Sequence, residues 1–82
     1  MPRGSGVTGG GTEPFAQITN SIRRLRFDAG EMTQKDLAAR AGVTRQTINA
    51  LEAGKYAPTL DLAFRIARVF GKPLEEVFQY DE

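Results

Sequence analysis

Glycines at short intervals limit this chain to short helices. Gly30, Gly42, Gly54 and Gly71 each follow a segment whose apolar residues recur at the three-and-four spacing of a helix buried on one face. Glycine ends helices readily because it adopts the left-handed backbone conformation beyond the last turn at little steric cost. No segment shows sustained alternation of apolar and polar residues. The pattern therefore predicts an all-α fold of about five short helices.

Each predicted helix begins at a residue that can start or cap one, and these residues are Pro14, Thr33, Thr44, Thr59 and Pro73. The apolar stripe of the first helix consists of Phe15, Ile18, Ile22 and Leu25. Asp36 lies three residues after Thr33 and can complete a capping box at the start of the second helix. A short extended tail after the fifth helix is also compatible with the sequence, at Val77, Phe78 and Tyr80.

The composition indicates one small domain behind a flexible tail. Residues 1–11 are rich in glycine and are predicted to be a flexible N-terminal tail, whereas residues 12–82 form the folded domain. The chain of 82 residues has no Cys and no His, which removes disulfides, the usual zinc sites and the most common general base. We therefore expect no enzymatic activity, no catalytic residue, no metal and no cofactor. No small-molecule ligand is evident either.

The charges are distributed unevenly along the chain. The formal net charge is only +1, from 11 basic and 10 acidic residues. Four of the acids lie at the C-terminus, and residues 75–82 contain no Lys or Arg. This asymmetry indicates either a basic working face with an acidic end directed away from it, or simply a solvated acidic tail.

The most informative segment, residues 33–52 (TQKDLAARAGVTRQTINALE), contains two short helices joined by a tight turn. Gly42 supplies the positive φ that such a turn requires. Ala38 is small where the two helix backbones approach each other. In the second of these helices Ile48 and Leu51 are expected to face the core.

The outward face of that second helix is polar and free of acidic residues. It carries Arg45, Gln46, Asn49, Ala50 and Ala53. The forked donors of Arg and the paired donors and acceptors of Gln and Asn match the edges of guanine and adenine in the major groove of DNA. Thr44 and Thr47 can donate to flanking phosphates, beside the free amides at the helix start. A merely solvated face is the alternative interpretation.

These stretches resemble the lambda-repressor/Cro-like helix-turn-helix DNA-binding proteins. The resemblance covers about residues 18–78 and rests on I-R-R-L-R, on the run from T-Q-K-D-L to A-P-T-L, and on the closing G-K-P-L-E-E-V-F. It implies a lambda-repressor-like DNA-binding domain in which helices 2 and 3 form the helix-turn-helix. The implied function is sequence-specific binding of double-stranded DNA by a small transcriptional regulator, with repression expected rather than activation.

The resemblance also implies which side chains read the bases. Arg45 and Gln46 match the principal base-reading positions, and Asn49 matches a secondary one. Ala50 departs from the family, because related proteins often carry a longer base-contacting side chain at this position. Recognition of the DNA sequence is therefore expected to depend on the other three residues. A second departure is the segment R-F-D-A-G-E-M after Leu25, which is one residue longer than usual in the family.

Further residues match supporting positions of the family. Gln34 matches a glutamine that contacts a phosphate and belongs to a hydrogen-bond network, although a purely bracing role is an equal alternative. Lys55 and Tyr56 match positions that contact the DNA backbone, with half-buried packing as the alternative for Tyr56. Arg26 and Glu52 match a buried ion pair between the first helix and the end of the third.

The expected partner is double-stranded DNA, bound in the major groove at a palindromic operator. A homodimer is expected because so short a chain buries a small core, and the C-terminal region with its aromatic Tyr80 is a candidate surface. Neither a membrane-spanning run nor a secretory signal is predicted, so a cytoplasmic, nucleoid-associated protein is expected. An antitoxin-like module and a protein-interaction adaptor with the same fold are the alternatives.

Overall fold

The computed structural model describes residues 18–80, which form five helices and two short strands. In chain order these elements are β1 (Ile18–Asn20), α1 (Ile22–Asp28), α2 (Gln34–Ala41), α3 (Arg45–Glu52), α4 (Leu60–Phe70), α5 (Leu74–Val77) and β2 (Phe78–Tyr80). The predicted tail of residues 1–11 and the predicted helix start at Pro14 and Phe15 lie outside this range. Within it, every helix is too short or too polar to cross a membrane.

Threonine side chains cap three of the helices, at the positions that the sequence predicts. At the start of α2 the Thr33 hydroxyl accepts the Asp36 backbone N–H at 2.9 Å, and the Asp36 carboxylate accepts the Thr33 N–H at 3.4 Å. Thr44 caps α3 and Thr59 caps α4 in the same way, each through an N–H···O bond of 3.2 Å. Each cap satisfies an amide that the helix leaves free and contributes about 1 kcal/mol. The predicted capping box is confirmed.

The core takes one apolar face from every helix, and α2 packs against both α3 and α4. Its buried apolar residues are Ile22, Leu25, Leu37, Ala38, Ala41, Ile48, Leu51, Leu62, Ala63, Ile66, Ala67 and Val77. Among the described residues, this buried core contains no polar or charged side chain. The predicted inward orientation of Ile48 and Leu51 is confirmed, since they are only 0% and 1% exposed.

A two-stranded sheet corrects the prediction of an all-α fold. Strand β1 pairs antiparallel with β2, so that Ile18 lies opposite Tyr80 and Asn20 lies opposite Phe78. The extended tail that the sequence left open after the fifth helix is therefore a strand. Its partner strand was wrongly assigned to the first helix, because Ile18 fits the helical spacing as well as it fits a strand.

The first helix begins only at Ile22 because the backbone turns just before it. The Asn20 side-chain carbonyl accepts the Ile22 N–H at 3.1 Å, which satisfies one of the free amides of the first turn. The Ser21 N–H donates to the Val77 carbonyl at 2.9 Å and holds the turn against the end of α5. These bonds end β1 and start α1, so the predicted helix stripe is split between two elements.

The loop between α1 and α2, residues 29–33, contains a backbone conformation that is uncommon for a residue other than glycine. Glu31 has φ 61°, the only positive φ of a non-glycine residue in the part of the chain that is described. That conformation costs roughly 1–2 kcal/mol for an L-residue. It brings the chain back so that the Met32 N–H donates to the Arg26 carbonyl at 2.9 Å. The loop thereby places Arg26 beside the start of α2.

Candidate nucleic-acid interface

The turn between α2 and α3 determines how α3 is presented. Gly42 has φ 75°, and the Val43 N–H donates to the Ala38 carbonyl at 3.0 Å. From α4, the Arg65 guanidinium donates to the Ala41 carbonyl at 2.7 Å and satisfies a carbonyl that the end of α2 leaves free. A bond from α4 therefore fixes the end of α2, from which the turn leads into α3.

The outward face of α3 forms one side of a shallow groove of about 380 Å³. Five residues line it, namely Arg45, Gln46, Asn49, Ala50 and Lys55. None of them is acidic, and the three base-reading candidates are all exposed. The structure thus brings the predicted base-reading residues together with one predicted backbone contact, Lys55, on a surface that a ligand can reach.

The hydroxyl groups at the start of α3 are engaged with each other. The Thr44 hydroxyl accepts the Thr47 backbone N–H, and the two hydroxyl oxygens lie 3.1 Å apart. Thr44 is exposed and Thr47 is half-buried. When the Thr47 hydroxyl is the donor in this pair, the Thr44 hydrogen is free to be donated to an incoming oxygen.

The loop after α3 carries the two predicted DNA-backbone contacts, Lys55 and Tyr56, and only one of them lines the groove of α3. The Lys55 N–H donates to the Ala50 carbonyl at 3.0 Å, which holds the lysine beside the groove of α3. Tyr56 follows it and is 39% exposed, but it is not among the residues that line this groove. The structure therefore places Lys55 among the residues that line the groove of α3, whereas Tyr56 does not line it.

An ion pair connects α1, α2 and α3. Arg26 donates from Nε to Glu52 Oε2 at 2.7 Å and from Nη2 to Glu52 Oε1 at 3.1 Å, and its Nη1 donates to the Met32 carbonyl at 2.8 Å. Gln34 donates its side-chain amide to Glu52 Oε1 at 3.1 Å. The ion-paired side chains are 15% and 10% exposed. Arg26 and Glu52 thus form a bidentate pair, and Gln34 belongs to its network.

A second concavity, of about 740 Å³, contains basic residues that sequence reasoning missed. Arg23 and Lys35 line it together with Arg45 and Gln34, and Glu31 is the exposed acid among its lining residues. Arg23 lies outside the apolar stripe of α1, and Lys35 is the second residue of α2. Lys35 directly follows Gln34 in the sequence, and this position was the signal that could have identified it as a candidate. The position of Arg23 depends on how α1 packs, which the sequence does not display.

The site offers hydrogen-bond donors and positive charge. The chain has no His and no Cys, and residues 18–80 contain no cluster of acids that could hold a metal ion. What the exposed groups can do is donate to acceptors and pair with anions. Two short helices joined by a tight turn, the second of which exposes its polar face, are typical of helix-turn-helix proteins.

The chain belongs to the lambda-repressor/Cro-like helix-turn-helix family, since the model of that family, described as helix-turn-helix, matches residues 22–77. The resemblance inferred from the sequence is confirmed. This chain is 57% identical over 59 residues to an uncharacterized HTH-type transcriptional regulator of Archaeoglobus fulgidus, and the match covers 72% of this chain and 79% of the relative. It is 55% identical over 51 residues to such a regulator of Methanocaldococcus jannaschii, covering 62% and 77%.

Similarity extends to bacteria and to a solved structure. An uncharacterized HTH-type transcriptional regulator of Bacillus subtilis is 41% identical over 65 residues, covering 79% of this chain and 97% of the relative. The crystal structure of a candidate DNA-binding protein from Bacteroides fragilis superposes with a TM-score of 0.67 at 21% identity, covering 76% of this chain and 98% of the other. At that identity the superposition shows a shared fold.

Proposed function

We propose that this protein binds double-stranded DNA in a sequence-specific manner and regulates transcription. In this proposal α2 and α3 are the helix-turn-helix, and α3 is the recognition helix. The observation that most strongly supports this proposal is the groove without acidic residues that Arg45, Gln46, Asn49 and Lys55 line together. Relatives named as transcriptional regulators support the same function.

The dimensions of α3 suit the major groove. An α-helix with its side chains is about 10–12 Å in diameter, which matches the width of about 12 Å of that groove in B-DNA. Arg45 and Gln46 occupy the first turn, the part of a recognition helix that reaches base edges, and Asn49 lies one turn further on the same face. These three side chains are assigned to base reading, with Arg suited to guanine and Gln or Asn suited to adenine.

Phosphate contacts are assigned to residues around the recognition helix. Thr44 and Thr47 lie at the start of α3, Lys55 lines its groove, and Tyr56 follows in the next loop. Gln34 has one amide hydrogen engaged with Glu52 and therefore contacts a phosphate through the other. Such contacts position the protein on the duplex without reading sequence.

We further propose that the protein acts as a homodimer on a palindromic operator. Two copies would place their recognition helices in successive major grooves, with half-sites about 34 Å apart. Repression by blocking the polymerase is the simplest outcome for a domain of this size. An antitoxin-like module or an adaptor is the competing function, and the adaptor would gain nothing from an acid-free face rich in Arg, Gln and Asn.

Selection of bound sites from a random duplex library at near-physiological salt tests the proposal. A palindromic motif is the expected result, and a failure to enrich any sequence would reject it in favour of the adaptor. On the selected site, Gln46→Ala should cost about 1–3 kcal/mol and relax the sequence preference at one position. Lys55→Ala should weaken binding to all sequences and reduce the salt slope by about one unit.

The matched control for these variants is Arg68→Ala. Arg68 is exposed like Arg45 and has the same charge, but it lies on α4 and does not line the groove of α3. Its loss should leave both affinity and sequence preference close to wild type. If Arg45→Ala weakens all sequences equally, then Arg45 contacts phosphates and the assignment to base reading is wrong.

A further inference from the structure

Arg65 of α4 reaches across to the turn between α2 and α3. Its Nη1 donates at 2.7 Å to the carbonyl of Ala41, the last residue of α2. The same nitrogen lies 3.0 Å from the position that a Cβ on Gly42 would occupy, so the guanidinium lies against the backbone of the turn itself. This contact joins the turn to a helix that lies outside the α2–α3 pair.

The guanidinium is fixed from its other side by Asp61. The Asp61 Oδ2 accepts hydrogen bonds from Arg65 Nη2 at 2.8 Å and from Arg65 Nε at 3.1 Å. The two residues are four positions apart on α4, a spacing at which side chains of one helix meet. All three nitrogens of the guanidinium therefore donate within the protein. A side chain that otherwise samples many rotamers is held in one of them.

A direct contact with DNA does not account for this arrangement of Arg65. Arg65 lines neither the groove of α3 nor the second concavity. A phosphate that approached its guanidinium would also meet the Asp61 carboxylate, whose side chain is 78% exposed, and would be repelled by it. The contacts of Arg65 therefore suit a role within the protein, at the turn that leads into α3.

The attachment of α3 to the rest of the domain passes mainly through α2. Helix α3 packs most closely on α2, and α2 in turn packs on α4. The buried side of α3 contributes Ile48 and Leu51 to the core, and the hydrophobic effect that favours their burial has no preferred direction. A hydrogen bond, in contrast, weakens steeply when its angle departs from linear. The bond to the Ala41 carbonyl therefore adds a directional constraint close to the start of α3.

We propose that Arg65 is a positioning residue that fixes the orientation of α3 for base reading, and that Asp61 holds it in place for this role. This inference rests on the proposed function. A binding side chain must be held within about 0.5 Å and 10–20° of its productive geometry. Arg45 and Gln46 require that alignment, because both bonds of a bidentate contact to one base must form together. A shift of the turn at Gly42 would move both side chains, since α3 begins three residues later.

Phosphate contacts tolerate such a shift better than base contacts do. Lys55 ends in an ammonium that acts as a point charge on a flexible stem, so its attraction for a phosphate does not require a fixed fork geometry. Attraction of this kind supplies essentially all of the affinity for non-specific DNA. Loss of the Arg65 contact should therefore lower the affinity for the preferred site more than the affinity for an unrelated duplex. We call the ratio of these two affinities the specificity ratio.

Binding to the preferred duplex and to an unrelated duplex, at the same salt concentration, measures the specificity ratio. Arg65→Ala should lower this ratio about tenfold, which is the order of one good bidentate contact to a base. Arg65→Lys keeps a cationic donor at this position and should recover the ratio to within about threefold of wild type. The matched control is Arg68→Ala, which removes the same charge from α4 but none of these contacts, and its ratio should stay within about twofold of wild type.

Asp61→Ala separates positioning from the effect of charge. Removal of an acid makes the protein more basic, so an effect of charge alone would strengthen binding to every duplex. Positioning predicts that the specificity ratio falls about threefold, because Arg65 loses the two bonds that hold its guanidinium toward the turn. If Asp61→Ala strengthens binding to both duplexes equally, then the pair acts through its charge and the inference is wrong.

Amide hydrogen exchange tests the contact with the turn in the absence of DNA. The Val43 N–H donates to the Ala38 carbonyl across the turn at 3.0 Å. In Arg65→Ala the Val43 amide should exchange about tenfold faster relative to the amide of Ile66, which lies in the core of α4 and reports the stability of the whole fold. Equal acceleration of both amides would show that Arg65 stabilises the fold without fixing the turn, and this result would overturn the inference.

The two measurements separate this inference from the proposed function. A variant that is only less stable loses the same fraction of folded protein on both duplexes, so an unchanged specificity ratio in Arg65→Ala would reject the inference and leave sequence-specific binding intact. If the wild type selects no sequence, the proposed function fails, and faster exchange at Val43 would still show that Arg65 fixes the turn. Arg65→Ala is expected to fold, because the side chain is 46% exposed and alanine favours a helix.

Discussion

The ion pair between Arg26 and Glu52 should be far more sensitive to the loss of one partner than to the loss of both. Glu52→Met leaves the guanidinium with its bond to the Met32 carbonyl alone, and it leaves the Gln34 amide without its acceptor. Arg26→Met leaves the carboxylate with the Gln34 amide alone. Each single variant therefore leaves one largely buried charge without its oppositely charged partner.

The magnitude follows from the burial of the pair. Removing one partner of a buried ion pair costs 3–5 kcal/mol. With side chains 15% and 10% exposed, the lower end of about 3 kcal/mol is expected for either single variant. At 4–8 °C per kcal/mol, the Tm should fall by roughly 12–24 °C. The double variant removes both charges and adds apolar contacts, so it should lie within about 1.5 kcal/mol of wild type.

Thermal and urea unfolding of the wild type, both single variants and the double variant provide the assay. The control is Asp61→Ala, which breaks an ion pair whose side chains are 46% and 78% exposed and should cost about 0.5 kcal/mol or less. A double variant less stable than either single variant would refute the reasoning. So would strict additivity, because it would mean that the two side chains do not interact.

Two further predictions concern backbone geometry and capping. Gly42→Ala should destabilise the fold by about 2 kcal/mol, because φ is 75° and the new Cβ would lie 3.0 Å from Arg65 Nη1. Gly54→Ala, with φ 73° and open space around it, should cost only about 1 kcal/mol, and equal losses in urea unfolding would contradict a role for Arg65. Thr33→Ala removes the cap bond to the Asp36 N–H and should lower the Tm by about 4–8 °C, whereas an unchanged Tm would show that the cap contributes nothing.

The helix starts at Thr33, Thr44 and Thr59 were predictable because a cap is a local interaction. The side chain and the amide that it accepts are three residues apart, so the pattern is visible in the sequence itself. The same holds for the inward face of α3, where Ile48 and Leu51 recur at helical spacing. The candidate DNA-reading face follows as the complement of the buried one.

The sheet could not be predicted because its strands are about sixty positions apart. Ile18 pairs with Tyr80 through backbone atoms, and nothing in a three-residue strand distinguishes it from the first turn of a helix. Arg23 was missed for a related reason. Its place in the lining of the same concavity as Lys35 depends on the angle at which α1 packs, which the apolar pattern does not specify.

The sequence by itself determined the helices capped by Thr33, Thr44 and Thr59, their buried stripes and the family, because each depends on neighbours along the chain or on residue types in order. The tertiary structure decided where those helices meet. It directs the Gln34 amide to Glu52, brings Lys55 beside Arg45 and leaves Leu60 exposed at the start of α4. Such features depend on contacts between residues distant in sequence, where the loss of chain entropy is offset only by the packing of the whole fold.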